Sequence, residues 1–239
     1  VGGVGLFDGN LETIRPAEIL DVRTGRWDDI STTLGPTVGR AWHSATLRKR
    51  DGDVVLIGGR QLVDGVATGL DSVEIFDTSA GSFRGNPGDV AIVMPAARAE
   101  HEAVLLANGQ GIGADVLVIG GVDGDGAPQS ASFIVTNSND AGRYDVAAPS
   151  QLALSDARTG HTALRIAPGS GTLIAVIGGG DGSGDPVGSI EIIDPSAFSV
   201  SGGGTLAEPR AYHSVVELPF TRRLVIMGGD PITIADLPE

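Results

Sequence analysis

The chain has 239 residues, of which 30 are acidic and 16 are basic, so its formal net charge is −14 at pH 7. That charge repels a phosphate backbone and an anionic membrane surface, which argues against nucleic acid as a partner. The absence of cysteine excludes disulfides, thiolate metal sites and cysteine nucleophiles. No stretch approaches the roughly 20 consecutive apolar residues of a membrane helix, so we expect no membrane insertion.

The first segments of the chain predict short strands joined by turns. Val1-Gly-Gly3 has the form of the last residues of an apolar strand. Ala17-Glu-Ile-Leu-Asp21 is followed by a turn and by Thr24-Gly-Arg-Trp-Asp28. A total of 37 glycines and 13 prolines also favours many short strands, and no segment predicts a helix.

A phrase of the form Arg-x-x-His then recurs four times and contains every histidine of the chain. Each copy is followed by an apolar run that ends in two glycines, which predicts a strand end where no Cβ fits or a positive φ is required. The copies are Arg40 to His43 with Gly58 and Gly59, Arg98 to His101 with Gly120 and Gly121, Arg158 to His161 with Gly178 and Gly179, and Arg210 to His213 with Gly228 and Gly229.

Two further strands complete each repeat. The third has the form Val73-Glu-Ile-Phe-Asp77 and recurs as Ile190-Glu-Ile-Ile-Asp194, whereas Ser132-Phe-Ile-Val-Thr136 is a copy without acidic residues. The short fourth strand carries one aromatic residue that we interpret as a packing anchor. These aromatic residues are Trp27, Phe83, Tyr144 and Phe198.

The patterns of the strands predict how the sheets pack. The first strand alternates small residues, which suits an innermost position, and the continuous apolar second strand predicts burial of both faces. Stacking such sheets against copies of themselves around an axis buries those faces and protects the strand edges.

These residues resemble kelch repeats. The matching features are the Arg-x-x-His entry, the double glycine, the Glu-x-x-Asp third strand and the aromatic fourth strand, and they extend over essentially the whole chain. The tyrosine of the family's third strand is replaced by Leu20, Phe76 or Ile193. The resemblance, closest to bacterial kelch-like proteins, implies an all-β fold: a kelch-type β-propeller built of four-stranded antiparallel blades.

The repeat divides residues 1–239 into about four to five blades. We predict a partial blade at 1–39, blades at 40–97, 98–157 and 158–209, and a partial blade at 210–239. Because kelch propellers usually close with six or seven blades, we expect this segment to belong to such a ring, with a closed four-bladed ring as the alternative.

The repeated arginines and histidines have two interpretations. In the structural one, the histidines (His43, His101, His161 and His213) lie in the seam between blades and bond to backbone, while each arginine pairs with a carboxylate or a strand end. In the functional one, which the kelch resemblance implies, Arg40, Arg98, Arg158 and Arg210 ring one mouth of the channel. There they would bind carboxylates or acidic glycans.

Loops rich in Asp and Gly follow the double glycines. They lack the full spacing of calcium loops, so turn chemistry explains them and no metal is predicted, with Asp123 and Asp125 as the first candidates if one binds. A copper site like that of kelch-type oxidases needs a Tyr–Cys pair, which this chain cannot form. No cofactor is expected, and Tyr144 and Tyr212 are interpreted as packing residues.

The sequence therefore predicts a non-catalytic binding or scaffold module. Its ligand is expected to be a protein segment or a carbohydrate, held by loops on one propeller face. A propeller enzyme (oxidase- or glycosidase-like) with catalytic residues outside this segment, and a structural assembly protein, remain the alternatives. We expect a secreted, periplasmic or cell-surface location in a bacterium.

Overall fold

The computed structural model describes residues 2–7, 10–15, 17–29, 36–48, 52–86, 88, 90–106, 115–137, 143–166, 172–218, 221 and 223–230. Within these residues the regular structure is antiparallel β, apart from one 3-10 turn at Ser150–Leu152. The expected all-β antiparallel class is thus confirmed. Residues 231–239, the predicted end of the last partial blade, lie outside the described residues.

The N-terminal region forms two hairpins. Strand β1 (Val4–Phe7) pairs with β2 (Asn10–Thr13), and β3 (Glu18–Asp21) pairs with β4 (Arg26–Asp29). The strands predicted around Ala17–Asp21 and Trp27 are therefore present as a two-stranded unit.

Three larger sheets follow in chain order. Sheet I contains β5 (Ser44–Leu47), β6 (Val54–Ile57), β9 (Ser72–Asp77), β10 (Ser82–Arg84) and β11 (Ile92–Val93), with a separate hairpin of β7 (Arg60–Val63) and β8 (Val66–Gly69). Sheet II contains β12 (Glu102–Leu105), β13 (Val116–Ile119), β14 (Phe133–Asn137) and β15 (Tyr144–Ala147). Sheet III contains β16 (Thr162–Ile166), β17 (Leu173–Ile177), β18 (Ser189–Asp194) and β19 (Ser199–Thr205), and hairpin IV pairs β20 (Ser214–Leu218) with β21 (Arg223–Met227).

Each sheet follows the predicted four-strand meander, with two additions in sheet I. Strand β11 pairs with β9. The β7–β8 hairpin turns at Asp64 and Gly65, whose φ values of 51° and 76° are those of a two-residue hairpin turn. The hairpin follows from local turn chemistry, and neither addition belongs to the repeat.

Strand β13 (Val116–Ile119) shows why the second strand of a repeat is apolar throughout. All four of its residues are buried. Val116 and Val118 join a core with sheet I, whereas Leu117 and Ile119 join a core with sheet III. Because side chains alternate across a strand, a sheet that lies between two others needs apolar residues at every position.

The double glycines join each unit to the next. The N–H of the second glycine donates to the carbonyl of the arginine in the following repeat. These bonds run from Gly3 to Arg40 (2.9 Å), from Gly59 to Arg98 (2.8 Å), from Gly121 to Arg158 (2.8 Å) and from Gly179 to Arg210 (2.9 Å).

The first glycine of the pair has no room for a side chain where the following repeat packs against it, as at Gly58, Gly120 and Gly178, whereas a Cβ on Gly228 would meet no atom within 4 Å. A Cβ on Gly178 would lie 2.5 Å from the Arg210 carbonyl oxygen and 2.8 Å from His213 Cε1. Gly178 also has a φ of 60°, where residues with a Cβ are strained. Steric exclusion and backbone conformation therefore both require glycine.

The fourth-strand aromatic residues do not share one role. Tyr144 is buried, and Phe83 packs on Phe76 with ring centroids 5.1 Å apart. Trp27 is 61% exposed and Phe198 is 41% exposed, so the prediction of a packing anchor is wrong for both. Strand β4, which carries Trp27, pairs with β3 alone, and Phe198 lies in the turn before β19 with a φ of 49°.

Candidate functional site

The four Arg-x-x-His segments lie at the start of the first strand of each unit, and we call them corners I (40–43), II (98–101), III (158–161) and IV (210–213). The first strands β5, β12, β16 and β20 contact one another in chain order. The four corners therefore lie at the same end of neighbouring first strands.

Three of the four corner arginines are closed to solvent. Arg40 and Arg158 are 0% exposed and Arg98 is 1% exposed, while the side chain of Arg210 is 24% exposed. Each guanidinium donates through Nη1 to the carbonyl of the first glycine of its own repeat, at 2.8 to 3.1 Å. The geometry favours the structural interpretation, since Arg40, Arg98 and Arg158 present no guanidinium face to a ligand.

Corners I and III neutralise their arginines with a buried carboxylate. Arg158 Nη2 lies 2.6 Å from Glu191 Oε1, and Arg40 pairs with Glu74 in the same way. The second carboxylate oxygen of Glu191 accepts the N–H of Ser155 at 2.8 Å. These are the glutamates of the repeated third strand, so that motif serves the arginine of its own repeat.

Corner II has a different partner for its arginine. The register of β14 against β13 puts Phe133 at the position that Glu74 and Glu191 occupy in the neighbouring sheets. The Arg98 guanidinium lies over the Phe133 ring, 4.7 Å from its centroid. Burial lowers the pKa of Arg98 to about 10, and the negative charge of Asp123 partly offsets this by raising it.

The histidines lie in the seams between units. The ring of His101 approaches Ser44 Oγ of the preceding repeat at 2.8 Å through Nε2. Backbone groups of Arg98, Ile119 and Arg210 act on the rings of His101, His161 and His213 respectively, in line with the predicted bonds to backbone. Within the described residues, the ring nitrogens of His161 and His213 have no hydrogen bond of ordinary geometry. Burial, followed by the charge of the adjacent arginine, lowers the pKa of His43 to about 4 and of His101 and His161 to about 3.

The first strand of sheet II carries one carboxyl with an altered pKa. Glu102 follows His101 directly, and burial raises its pKa to about 7. It is therefore partly protonated near neutral pH.

Asp123 and Asp125 lie in a turn that its own side chains stabilise. Asp123 Oδ1 accepts the N–H groups of Asp125 and Ala127, both at 3.0 Å, and Oδ2 accepts from Gln129 Nε2 at 2.7 Å. Among the described residues no group of three or more His, Asp and Glu side chains gathers as metal ligands. The turn uses this aspartate as a backbone acceptor.

A second buried polar cluster joins sheets I and II. Tyr144 Oη donates to Asp53 Oδ2 at 3.1 Å and accepts from Arg48 Nη1, and the Arg48 guanidinium lies 4.9 Å from the ring centroid. Arg84 also reaches Asp53, at 2.8 Å. Tyr144 thus packs as predicted, but the buried Arg48 and Asp53 have no repeat signal and were not identified from the sequence.

The third residue of every corner has a left-handed backbone. Trp42, Glu100 and Tyr212 have φ values of 54°, and Gly160 has 57°. This conformation is uncommon for residues other than glycine, and it costs of order 1 kcal/mol or more at each one. The strain carries Trp42 and Tyr212 into solvent, where they are 49% and 51% exposed. Tyr212, expected from the sequence as a packing residue, is therefore only half buried.

These third residues contact one another across the units, and we call Trp42, Glu100, Gly160 and Tyr212 the corner cluster. Glu100 N–H donates to the Trp42 carbonyl at 3.0 Å, and Tyr212 N–H donates to the Gly160 carbonyl at 2.7 Å. The Tyr212 ring lies against Gly160, where a Cβ would come within 2.8 Å of it. Tyr212 thereby reaches across corner III toward Glu100.

The Glu100 carboxylate lies at the centre of this arrangement. It accepts from Thr159 Oγ1 at 3.1 Å, and the Tyr212 hydroxyl lies near enough to contribute a weak hydrogen bond. Burial, the charge of Glu100 and this hydrogen bond raise the pKa of Tyr212. Sequence reasoning missed the cluster because it used the constant positions of the phrase. The informative position was the variable third residue of the phrase, which is Trp, Glu, Gly and Tyr in the four successive copies.

One cleft lies in sheet I, next to the buried arginine of corner I. Its volume is about 320 Å³, and Glu74, Phe83, Arg84 and Ile92 contribute to its lining. Its charged groups already have protein partners, since Glu74 pairs with Arg40 and Arg84 pairs with Asp53 and Asp77. The corner cluster is the more available site.

Comparison with known proteins indicates the fold. No protein-family model matches the chain, and no curated protein matches it by sequence. Among solved structures, the protein YjhT superposes with a TM-score of 0.70 at 16% identity, over 96% of this chain and 73% of that one. At this identity the likeness concerns the β-fold alone. None of the described elements is a helix long and apolar enough to cross a membrane.

Proposed function

We propose that this chain is a kelch-type β-propeller segment, with sheets I to III as blades, that acts as a non-catalytic binding module. The repeat motifs support the kelch assignment, and the chain-order contacts between first strands support the blade arrangement. The ligand in this proposal is a protein segment that lies on the corner cluster.

The observation that carries the proposal is the exposure of two aromatic rings on a strained backbone. Gly160 has the same φ region in corner III, so the fold accepts glycine at this position. Trp42 and Tyr212 nevertheless keep large rings in solvent there. Exposed aromatic residues that the fold does not need are typical of binding surfaces, where they supply much of the contact energy.

Comparative array binding tests this proposal. Peptide and glycan arrays are probed with the wild-type chain, with the double variant Trp42→Ala/Tyr212→Ala and with Trp27→Ala. Trp27 is the matched control because it is an exposed tryptophan on strand β4, outside the corner cluster. We expect array signals that the double variant loses and the control keeps. Signals that survive in the double variant, or that vanish equally in Trp27→Ala, would exclude the corner cluster as the binding face.

A further inference from the structure

The chemistry of the corner cluster also indicates the kind of ligand. Resting on the proposed function above, we infer that the corner cluster binds a basic protein segment. In this complex one Lys or Arg side chain is stacked on Trp42 and paired with the Glu100 carboxylate.

The first argument is the uncompensated charge of Glu100. Its carboxylate accepts from Thr159 Oγ1 and lies near the neutral Tyr212 hydroxyl, and it has no ion pair with any described basic residue. The corner arginines do not serve it, because Arg40, Arg98 and Arg158 are buried and bonded within their own sheets. The fourth, Arg210, pairs with Glu208 and donates to the Gly228 carbonyl. A fixed carboxylate at a partly exposed position is available to a cation from outside.

The second argument is the indole of Trp42. Glu100 N–H bonds to the Trp42 carbonyl at 3.0 Å, so the two side chains arise from adjoining backbone. An indole face is the aromatic surface that attracts cations most strongly, and a guanidinium or ammonium group is the kind of group that suits both an aromatic face and a carboxylate. The exposed Tyr212 ring adds a second aromatic surface beyond Glu100.

The third argument is the charge of the whole chain. A formal net charge of −14 accelerates the approach of a cationic segment and disfavours an acidic one. A neutral saccharide could stack on the same rings, but it would gain nothing from this field. The charge and the free carboxylate therefore favour a basic segment.

Trp42 provides its own probe. The chain contains two tryptophans, so Trp27→Phe leaves Trp42 as the single indole fluorophore. This variant is titrated with a capped hexapeptide of alternating Gly and Arg, with the matching Gly and Glu peptide, and with a linear glucose oligosaccharide. We expect saturable change in Trp42 emission with the Arg peptide alone, and weakening of that binding by added salt.

Two charge variants in the same background locate the effect. Glu100→Gln should weaken Arg-peptide binding roughly tenfold, because it removes the partner charge. Glu18→Gln removes the same charge from exposed strand β3 and should leave binding nearly unchanged. Trp42→Gly introduces the residue that corner III already has at this position, so the backbone should tolerate it. This variant, assayed by calorimetry, should also abolish binding.

The outcomes separate this inference from the proposed function. Equal losses in Glu100→Gln and Glu18→Gln would reduce the effect to general charge attraction and overturn the inference. Binding of the oligosaccharide or the Glu peptide at Trp42, in place of the Arg peptide, would overturn the proposed ligand class. It would leave the corner cluster as the binding surface. No response of Trp42 to any probe, together with array signals independent of Trp42, would overturn both.

Discussion

Arg158 and Arg98 hold equivalent positions in neighbouring repeats but meet different partners. Both donate to the carbonyl of the first glycine of their repeat, at 3.1 Å to Gly178 and 3.0 Å to Gly120. Arg158 then forms an ion pair with Glu191, whereas Arg98 lies over an aromatic ring. The bond to the glycine carbonyl is common to both repeats. The charge of the guanidinium is stabilised by a carboxylate in one repeat and by an aromatic ring in the other.

The largest expected difference is in the cost of removing the two arginines. Arg158→Met leaves Glu191 as a buried carboxylate without its cation, and we expect a loss of about 3–5 kcal/mol in unfolding free energy. Arg98→Met removes the cation from the Phe133 ring and the donor from two carbonyls, those of Gly120 and, at 3.5 Å, Ala131, with an expected loss of about 1–3 kcal/mol. Urea unfolding of both variants measures the difference.

Two further variants control this comparison. Arg158→Met/Glu191→Met removes both buried charges and should recover much of the loss. Arg210→Met, at the exposed corner IV where the arginine meets the exposed Glu208, should cost less than the other two. Equal losses for Arg98→Met and Arg158→Met would show that the carboxylate contributes nothing to the difference.

The histidines of the two corners should behave alike, in contrast to the arginines. Because the pKa values of His101 and His161 are about 3 when folded, the unfolded chain binds protons first as pH falls below about 6.5. The stability they contribute is complete above that pH and is lost toward pH 3, by up to about 1.4 kcal/mol per pH unit for each. Thermal unfolding between pH 7 and 4 measures the slope.

One carboxyl opposes this trend. Because the folded pKa of Glu102 is raised to about 7, the stability it contributes is present below about 4.5 and is lost as pH rises through 7. We expect His101→Gln and His161→Gln each to reduce the acid slope, and Glu102→Gln to steepen it. A slope unchanged by either histidine substitution would contradict the buried neutral state.

The smallest expected effect concerns the corner cluster. Trp42→Gly relieves a left-handed backbone at a half-exposed position, so stability should stay constant or rise by up to about 1 kcal/mol. Gly160→Ala is the opposite control, since its Cβ would lie 2.8 Å from the Tyr212 ring at a φ of 57°. Thermal melts of the two should shift in opposite directions, and a large loss in Trp42→Gly would assign Trp42 a packing role.

Much of the fold could be predicted because the repeated residues are those that the backbone conformation and the apolar core require. The continuous apolar runs predicted strands buried on both faces, and β13 is such a strand. The turn role of Asp123 also followed from residue type. The aromatic fourth strands were less predictable, since burial of Trp27 or Phe198 depends on neighbouring strands that a local pattern does not contain.

The candidate site was harder to predict for a physical reason. A repeated arginine suits an exposed anion site and a buried structural bond equally well, and only three-dimensional packing distinguishes them. Alignment of the third strands put Phe133 in the place of a glutamate, but the stacking of Arg98 on its ring required the structure. The corner cluster draws one residue from each of four repeats, so its contacts have no signature in any single copy.

Because each glycine pair contacts the next repeat, the units that pack together in this chain are offset from the repeats in its sequence. Gly120 and Gly121 belong to one repeat, yet their close contacts include the Arg158 carbonyl of the next. Dividing the array between two repeats would therefore separate a glycine pair from the arginine carbonyl that it contacts. Dividing it within a strand-connecting loop would leave each of these contacts intact. Duplicating or exchanging one repeat within such an array preserves the seams only when the glycine pair and the following arginine remain in register.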